Sequence, residues 1–207
     1  MSDSFSRYDV YTTVQSKYCY GGTGVLKNRF DIREPAELKA VESDIFAVRQ
    51  KQLLKKPLKG TFSPTHLCRL HKYLFGDVYS FAGRYRTEDI SKGKTLFLHY
   101  AKIGDGLAAL LHELKTEKIL AGLDYAVQMQ RISYYFAALN YIHPFREGNG
   151  RTCREFIRLI MEQLGYFVDW GKIDHDELIL RMEDSVYDER VLIPVFETIT
   201  IPISSIQ

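Results

Sequence analysis

The sequence predicts a mainly α-helical fold carrying one small β-hairpin. Two observations predict it. Apolar residues recur at i, i+3 and i+4 along most of the chain, the spacing of one helix face. Around Lys92-Gly93-Lys94, by contrast, two short runs flank a glycine in the manner of a hairpin. No repeat, low-complexity segment or linker interrupts the 207 residues. Residues 1–207 are therefore expected to form a single domain, long enough to bury a sizeable core.

The elements follow in order. Residues 1–30 read as an N-terminal extension leading into the first helix, polar and aromatic at its start, with Tyr8, Tyr11, Tyr18 and Tyr20. Within it Gly21-Gly22-Thr23-Gly24 reads as a turn, since a phosphate loop needs a lysine and a preceding strand that are missing. Asp31 or Glu34-Pro35 starts a helix to about Leu54, with Leu38, Val41, Ile45 and Val48 on its apolar stripe and Lys51, Lys55, Lys56 and Lys59 at a solvated end. Ser63-Pro64 is an N-cap followed by proline in the first turn, opening a helix with Leu67, Leu70, Leu74 and Phe75. Gly76 to Gly83 is a break, and Arg84 and Arg86 read as structural or rim charges. The hairpin lies within residues 87–100, where His99 reads as an exposed residue.

Two helical patterns come next. Ile103 to Leu120 carries Leu107, Leu110, Leu111 and Leu114; Leu123 to Tyr141 carries Ala126, Met129, Ile132, Tyr135 or Phe136, and Leu139. Tyr134-Tyr135-Phe136 reads as core rather than as a base-stacking platform. Cys153, Phe156, Ile157, Ile160, Met161 and Leu164 then mark one face of a helix that Gly165 is placed to end. Asp174 or Asp176 begins a further helix with Ile179, Met182 and Val186, and a last one runs from about Val191 to Thr198.

Composition narrows the function classes. Hydrophobic and charged fractions of 45% and 26% are those of a soluble globular protein, and a net charge of +2 argues for neither a nucleic-acid nor a membrane partner. Three widely spaced cysteines make neither a disulfide framework nor a zinc site, and Cys153 reads as a small core residue. With no signal peptide and no apolar run of membrane-spanning length, a cytoplasmic location is expected; delivery as a secreted effector is not legible.

Between two of these helices lies His143-Pro144-Phe145-Arg146-Glu147-Gly148-Asn149-Gly150-Arg151-Thr152-Cys153-Arg154. The following helix begins near Gly148–Arg151, and a helix N-terminus offers free N–H groups and the positive end of the dipole to an anion. Gly148 and Gly150 allow a sharp turn and close approach to a ligand. Arg151 and Arg154 lie on the first turn, and helical side chains lean toward the N-terminus, so both guanidinium groups can reach back over the anion. Two such forks suit a polyphosphate better than a single carboxylate. Glu147 is then placed to ligate a hard divalent cation such as Mg²⁺, Asn149 to donate to a phosphate oxygen, and a neutral His143 to take a proton from an attacking hydroxyl.

The stretch matches at every position the signature H-P-F-x-[D/E]-G-N-G-R-x-x-R, and on it the chain resembles the Fic family. Tyr18 to Arg29 and Val78 to Arg86 also resemble the opening of Fic domains and the entry to their flap. The resemblance implies a Fic-type helical domain whose hairpin, Ile90-Ser91-Lys92-Gly93-Lys94-Thr95-Leu96-Phe97, is a flap over the active site that holds the target backbone as an added strand. It implies AMP transfer from ATP to a Tyr, Thr or Ser hydroxyl of a target protein. His143 would be the base and Glu147 the Mg²⁺ ligand. Gly148, Asn149 and Gly150 would lie on the α/β-phosphates, Arg151 on the β- and Arg154 on the γ-phosphate, with Phe145 as an inward anchor. Relatives that move phosphate or phosphocholine, and a silent nucleotide- or partner-binding module, are the alternatives. Fic enzymes are commonly restrained by a helix bearing [S/T]-x-x-x-E-[G/N]; here only Ser185 to Arg190, with Glu189, comes near, and it ends in Arg. The expectation is a toxin whose Arg154 lacks an internal carboxylate partner, restrained by a separate small antitoxin.

Overall fold

The computed structural model describes residues 16–92 and 95–205. Gly93 and Lys94 of the expected flap, and Tyr8 and Tyr11, lie outside the described residues. The architecture is mainly α. The helices are α1 (Pro35–Lys55), α2 (Pro64–Phe75), α3 (Ile103–Thr116), α4 (Tyr125–Ile142), α5 (Asn149–Gln163), α6 (His175–Asp184) and α7 (Ile193–Ile199), with short three-ten turns ahead of α3, α4, α6 and α7. Strands β1 (Ser91–Lys92) and β2 (Thr95–Leu96) pair antiparallel, Ser91 with Leu96 and Lys92 with Thr95, where the hairpin was expected. A second antiparallel pair escaped the sequence reading: β3 (Tyr166–Val168) meets β4 (Thr200–Pro202), with Val168 opposite Thr200. Three-residue strands so far apart carry no readable alternation, and only tertiary closure of α5 onto the C-terminal segment pairs them.

Helix α4 is the central element, packed against α3, α5 and α7. Met129, Ile132, Tyr135, Phe136 and Leu139 from α4 and Phe156, Ile157, Ile160 and Met161 from α5 are fully buried. Truncating one such aromatic, Phe156→Ala, would cost about 3–5 kcal/mol in transfer and cavity terms. The local signals act as expected at several ends. Ser63 accepts from the N–H of His66, Asp174 accepts from the N–H groups of Asp176 and Glu177, and Gly165 follows α5 at φ 87°. The Gly21 to Gly24 stretch is a turn, with the N–H of Tyr20 bonded to the carbonyl of Val25.

Two boundaries and one buried face differ. Helix α3 ends at Thr116 rather than Leu120, because Lys118, Ile119 and Leu120 take left-handed φ values of 53°, 54° and 63° to drop Leu120 into the core. The closing helix begins only at Ile193, after a three-ten turn over Glu189–Leu192. On α1, Leu38 is buried but Val48 is 56% exposed. The buried line runs instead through Leu38, Glu42 and Leu53. A charged residue thus takes a place that an apolar stripe assigns to Val41.

Candidate active site

The loop between α4 and α5 is held from both ends. His143 caps α4 in the left-handed region (φ 46°, ψ 62°), its N–H bonded to the carbonyl of Leu139. This conformation costs a β-carbon-bearing residue about 1 kcal/mol and turns the chain sharply into Pro144. The ring is buried; Nδ1 lies 2.9 Å from the carbonyl of Asn140, and the face stacks on Phe97 with centroids 3.7 Å apart and planes 10° apart. Burial pushes the imidazole pKa down to about 3, with Arg86 and Lys92 adding to the effect. The ring is therefore neutral, and because a carbonyl only accepts, Nδ1 carries the hydrogen and Nε2 the lone pair. Lys92 and Phe97 from the hairpin, Asn140 and His143 from the end of α4, and Met182 and Glu183 from α6 line a small cleft beside this ring.

Phe145 is buried and stacks on His71 of α2 at 3.8 Å. The His71 ring is buried too: the N–H of Gly83 donates to Nδ1, so Nε2 donates to the carbonyl of Glu147, 2.8 Å away. Asn149 closes the loop with both atoms of its carboxamide. Oδ1 accepts the N–H of Phe145 and Nδ2 donates to the Phe145 carbonyl, each at 2.8 Å. The side chain expected to donate to a phosphate oxygen is thus bonded to the loop through Oδ1 and one Nδ2 hydrogen.

Gly148 is the N-cap of α5 at φ 75°, and a β-carbon there would stand 2.5 Å from the Phe75 ring. At Gly150 a β-carbon would meet nothing nearer than Nη1 of Arg154, 3.8 Å away, so the Arg154 side chain leans back over the helix start. Oε1 of Glu147 accepts the Gly148 N–H at 2.8 Å and Nη2 of Arg151 at 3.1 Å. The same Nη2 meets Oε1 of Glu42 on α1 at 2.5 Å. The Arg151 guanidinium also lies over the rings of Phe46 and Phe75, 5.1 and 4.7 Å from their centroids. Tyr79 donates its hydroxyl to the other oxygen of Glu42. Burial raises the Glu42 pKa, against the lowering effect of Arg151.

Two arginines tie the hairpin to the loop. Arg86, with its side chain fully buried, donates to the carbonyls of His143 and Glu88 at 2.8 Å, of Ile142 at 3.3 Å, and of Leu98. Arg146 donates from Nε to Glu88 at 2.8 Å. Beyond Phe97, the N–H of Leu98 donates to the carbonyl of Tyr141, and Lys92 pairs with Glu183 of α6 at 3.4 Å. Ser91 and Thr95 are half-buried, Leu96 is exposed, and Ile90 is buried.

Sequence reasoning missed Glu42, His71, Tyr79, Arg86 and Arg146 as members of the site. Their partners are distant in the chain: Arg86 meets His143 across 57 positions, Arg146 meets Glu88 across 58, His71 meets Glu147 across 76, and Glu42 meets Tyr79 across 37 and Arg151 across 109. Among the described residues no three His, Cys, Asp or Glu converge as a metal cage. The single carboxylate of Glu147 beside a helix N-terminus is the donor set that suits a divalent ion arriving on phosphates and keeping most of its ligands from them. No helix among the described residues is long and apolar enough to cross a membrane.

Comparison with known proteins finds relatives over most of the chain. The model of the Fic/DOC family matches residues 61–161. The protein adenylyltransferase VbhT of Bartonella schoenbuchensis is 40% identical over 165 residues, which are 80% of this chain and 34% of that one. The chain thus spans about a third of that relative's length. The Escherichia coli protein named "Probable protein adenylyltransferase Fic" is 31% identical over 176 residues, 85% of this chain and 84% of that one. Among solved structures, the N-terminal Fic domain of a VirB-translocated Bep effector protein from Bartonella quintana, with bound ADP, superposes with a TM-score of 0.85. It is 26% identical and covers 91% of this chain and 96% of that one.

Proposed function

The chain belongs to the Fic/DOC family, and from that premise we propose how it acts. It is a protein adenylyltransferase, moving AMP from ATP to a Tyr, Thr or Ser hydroxyl of another protein. The observation that carries this reading is the juxtaposition of a neutral imidazole with the start of α5. His143 has Nδ1 fixed on Asn140, and a few residues on stand the amides of α5 with Arg151 and Arg154. A similar Fic domain has bound ADP, which supports nucleotide binding by this one.

In the reaction Nε2 of His143 takes the proton of the acceptor hydroxyl. The acceptor oxygen forms its bond to the α-phosphorus, the bond from that phosphorus to the bridging oxygen breaks, and pyrophosphate leaves. Positioning and charge do most of the catalysis. The N–H groups of Asn149 and Gly150, with that of Gly148 once Glu147 releases it, meet the α- and β-phosphate oxygens, Arg151 the β- and Arg154 the γ-phosphate. Glu147 would hold Mg²⁺, whose role is to offset charge on the phosphates. The hairpin from Ile90 to Phe97 receives the target segment: Leu96 is exposed on its outer side while Phe97 turns in over the base, so one strand faces both target and catalyst.

The same reading includes restraint by a separate small protein that supplies a carboxylate to Arg154. In the segment nearest to an internal inhibitor, Ser185 donates its hydroxyl to the carbonyl of Met182, and Glu189 is exposed on a three-ten turn. Neither suits a buried carboxylate latch. Incubation with ATP labelled at the α-phosphate, Mg²⁺ and a cell extract should label protein with the mass of AMP. His143→Ala should retain ATP binding and lose labelling. Added phosphate or phosphocholine, or wild-type labelling by His143→Ala, would overturn the reading.

A further inference from the structure

We propose that Glu42 is a positioning residue for the nucleotide: its carboxylate, steadied by Tyr79, fixes the Arg151 guanidinium where the β-phosphate meets it. The proposal rests on the nucleotide reading above and adds a residue from α1, outside the region that the family model matches.

Among the described residues, side chains from α1, α2 and the loop before α5 surround Arg151. Glu42 and Glu147 bond the same nitrogen, Nη2, at 2.5 and 3.1 Å. Phe46 and Phe75, themselves stacked at 5.6 Å, present their rings to the guanidinium. Glu42 is 8% exposed and takes its second bond from the Tyr79 hydroxyl. Tyr79 is buried in turn and stacks on Phe81 at 4.8 Å. A chain of fixed groups thus runs from the core beneath α1 to the first turn of α5.

The partners of Arg151 differ in what nucleotide binding asks of them. Glu147 is the residue wanted by a phosphate-borne cation, so its hold on Nη2 is one that binding draws away. Glu42 sits on another helix and lacks that second task. If a phosphate pulled Arg151 off Glu42, a buried carboxylate would be left without its counter-charge, which is strongly unfavourable. The guanidinium therefore receives the phosphate from where Glu42 and the two rings already hold it. A fork held before the ligand arrives loses less freedom on binding than a mobile one.

The test uses the full chain with His143→Ala to prevent turnover, and calorimetric titration with ATP, ADP and AMP. Glu42→Gln keeps the shape and an acceptor for Tyr79 but removes the charge. ATP and ADP should bind about tenfold more weakly, the loss expected for one misplaced charge-assisted contact. AMP, which has no β-phosphate, should bind as in the parent. Arg151→Ala should show the same split, and the double variant should lose nothing further. Tyr79→Phe, which leaves the charge but frees it, should show a smaller loss with the same dependence on the β-phosphate, and it serves if Glu42→Gln does not fold. Equal losses for AMP and ATP would mean a merely structural role. Tighter ATP binding would make Glu42 a competitor of the phosphate. Additive losses would uncouple the two residues. Each of these overturns the proposal. If the parent binds no ATP at all, the nucleotide reading itself fails and takes the proposal with it.

Discussion

Replacing Arg86 by alanine should unfold the link between hairpin and catalytic loop. The guanidinium is wholly buried and serves the carbonyls of His143, Glu88, Ile142 and Leu98. Its contact to Asp89, at 3.7 Å and with that carboxylate 44% exposed, adds little. A buried acceptor left without its donor costs about 1–3 kcal/mol. Backbone carbonyls keep a second lone pair, so the lower end applies, and four of them give about 4 kcal/mol before any cavity term. Against a typical stability of about 5–15 kcal/mol this is a large share. At about 2–4 °C per kcal/mol for a chain of this size, the melting temperature should fall by about 8–16 °C. Arg86→Lys retains the charge, but an ammonium reaches fewer of the four carbonyls, and roughly half the loss should remain. Thermal and urea denaturation give the stability, and AMP transfer measured well below the melting temperature gives the effect on the base. With the His143 carbonyl unanchored, transfer should drop about tenfold or more even where the variant is folded. A melting temperature within about 3 °C of wild type would refute the reasoning.

Other outcomes follow from the same geometry. His143 and His71 are both held at about 3 by burial, so their folded values lie below the unfolded 6.5. The stability this represents is complete above pH 6.5 and declines as the pH falls from there toward 3. Unfolding free energies from urea titration should be lower at pH 5.0 than at pH 7.5 by up to about 4 kcal/mol, two groups at about 1.4 per pH unit; equal values would contradict neutral buried rings. Transfer by the folded enzyme should show no acid limb near 6.5, because His143 is already the free base there. Gly148→Ala, with φ 75° and Phe75 at 2.5 Å, should lower stability by about 2–4 kcal/mol. Gly150→Ala, with only Arg154 at 3.8 Å, should leave the melting temperature almost unchanged while weakening ATP. Glu189→Gly should transfer AMP at nearly the wild-type rate, whereas a large gain would return an inhibitor to this chain; expressing the wild type alone should slow growth, and His143→Ala should not.

The sequence by itself determined the local features. Helical periodicity placed the helices, Ser63-Pro64 and Asp174 began two of them, and Lys92-Gly93-Lys94 marked the hairpin. The twelve residues from His143 to Arg154 placed imidazole, carboxylate, glycines and arginines together because they are neighbours in the chain. What determines such features acts within one or two turns, so it is written in consecutive residues. Only the tertiary structure decided which distant groups hold that loop. His71 supports Phe145 and Glu147 from α2, Arg86 gathers the carbonyls of the loop and the hairpin, and Glu42 reaches Arg151 across 109 positions. The short β3–β4 pair and the left-handed turn at Lys118 to Leu120 belong with these. A lone charged residue in an amphipathic helix looks like solvated surface until packing brings it a counter-charge. On α1 the apolar line through Val41 and Val48 pointed one way, yet the helix turned Glu42 inward. There, folding brought Arg151 from α5 and Tyr79 from the segment after α2, the partners that make a buried carboxylate stable.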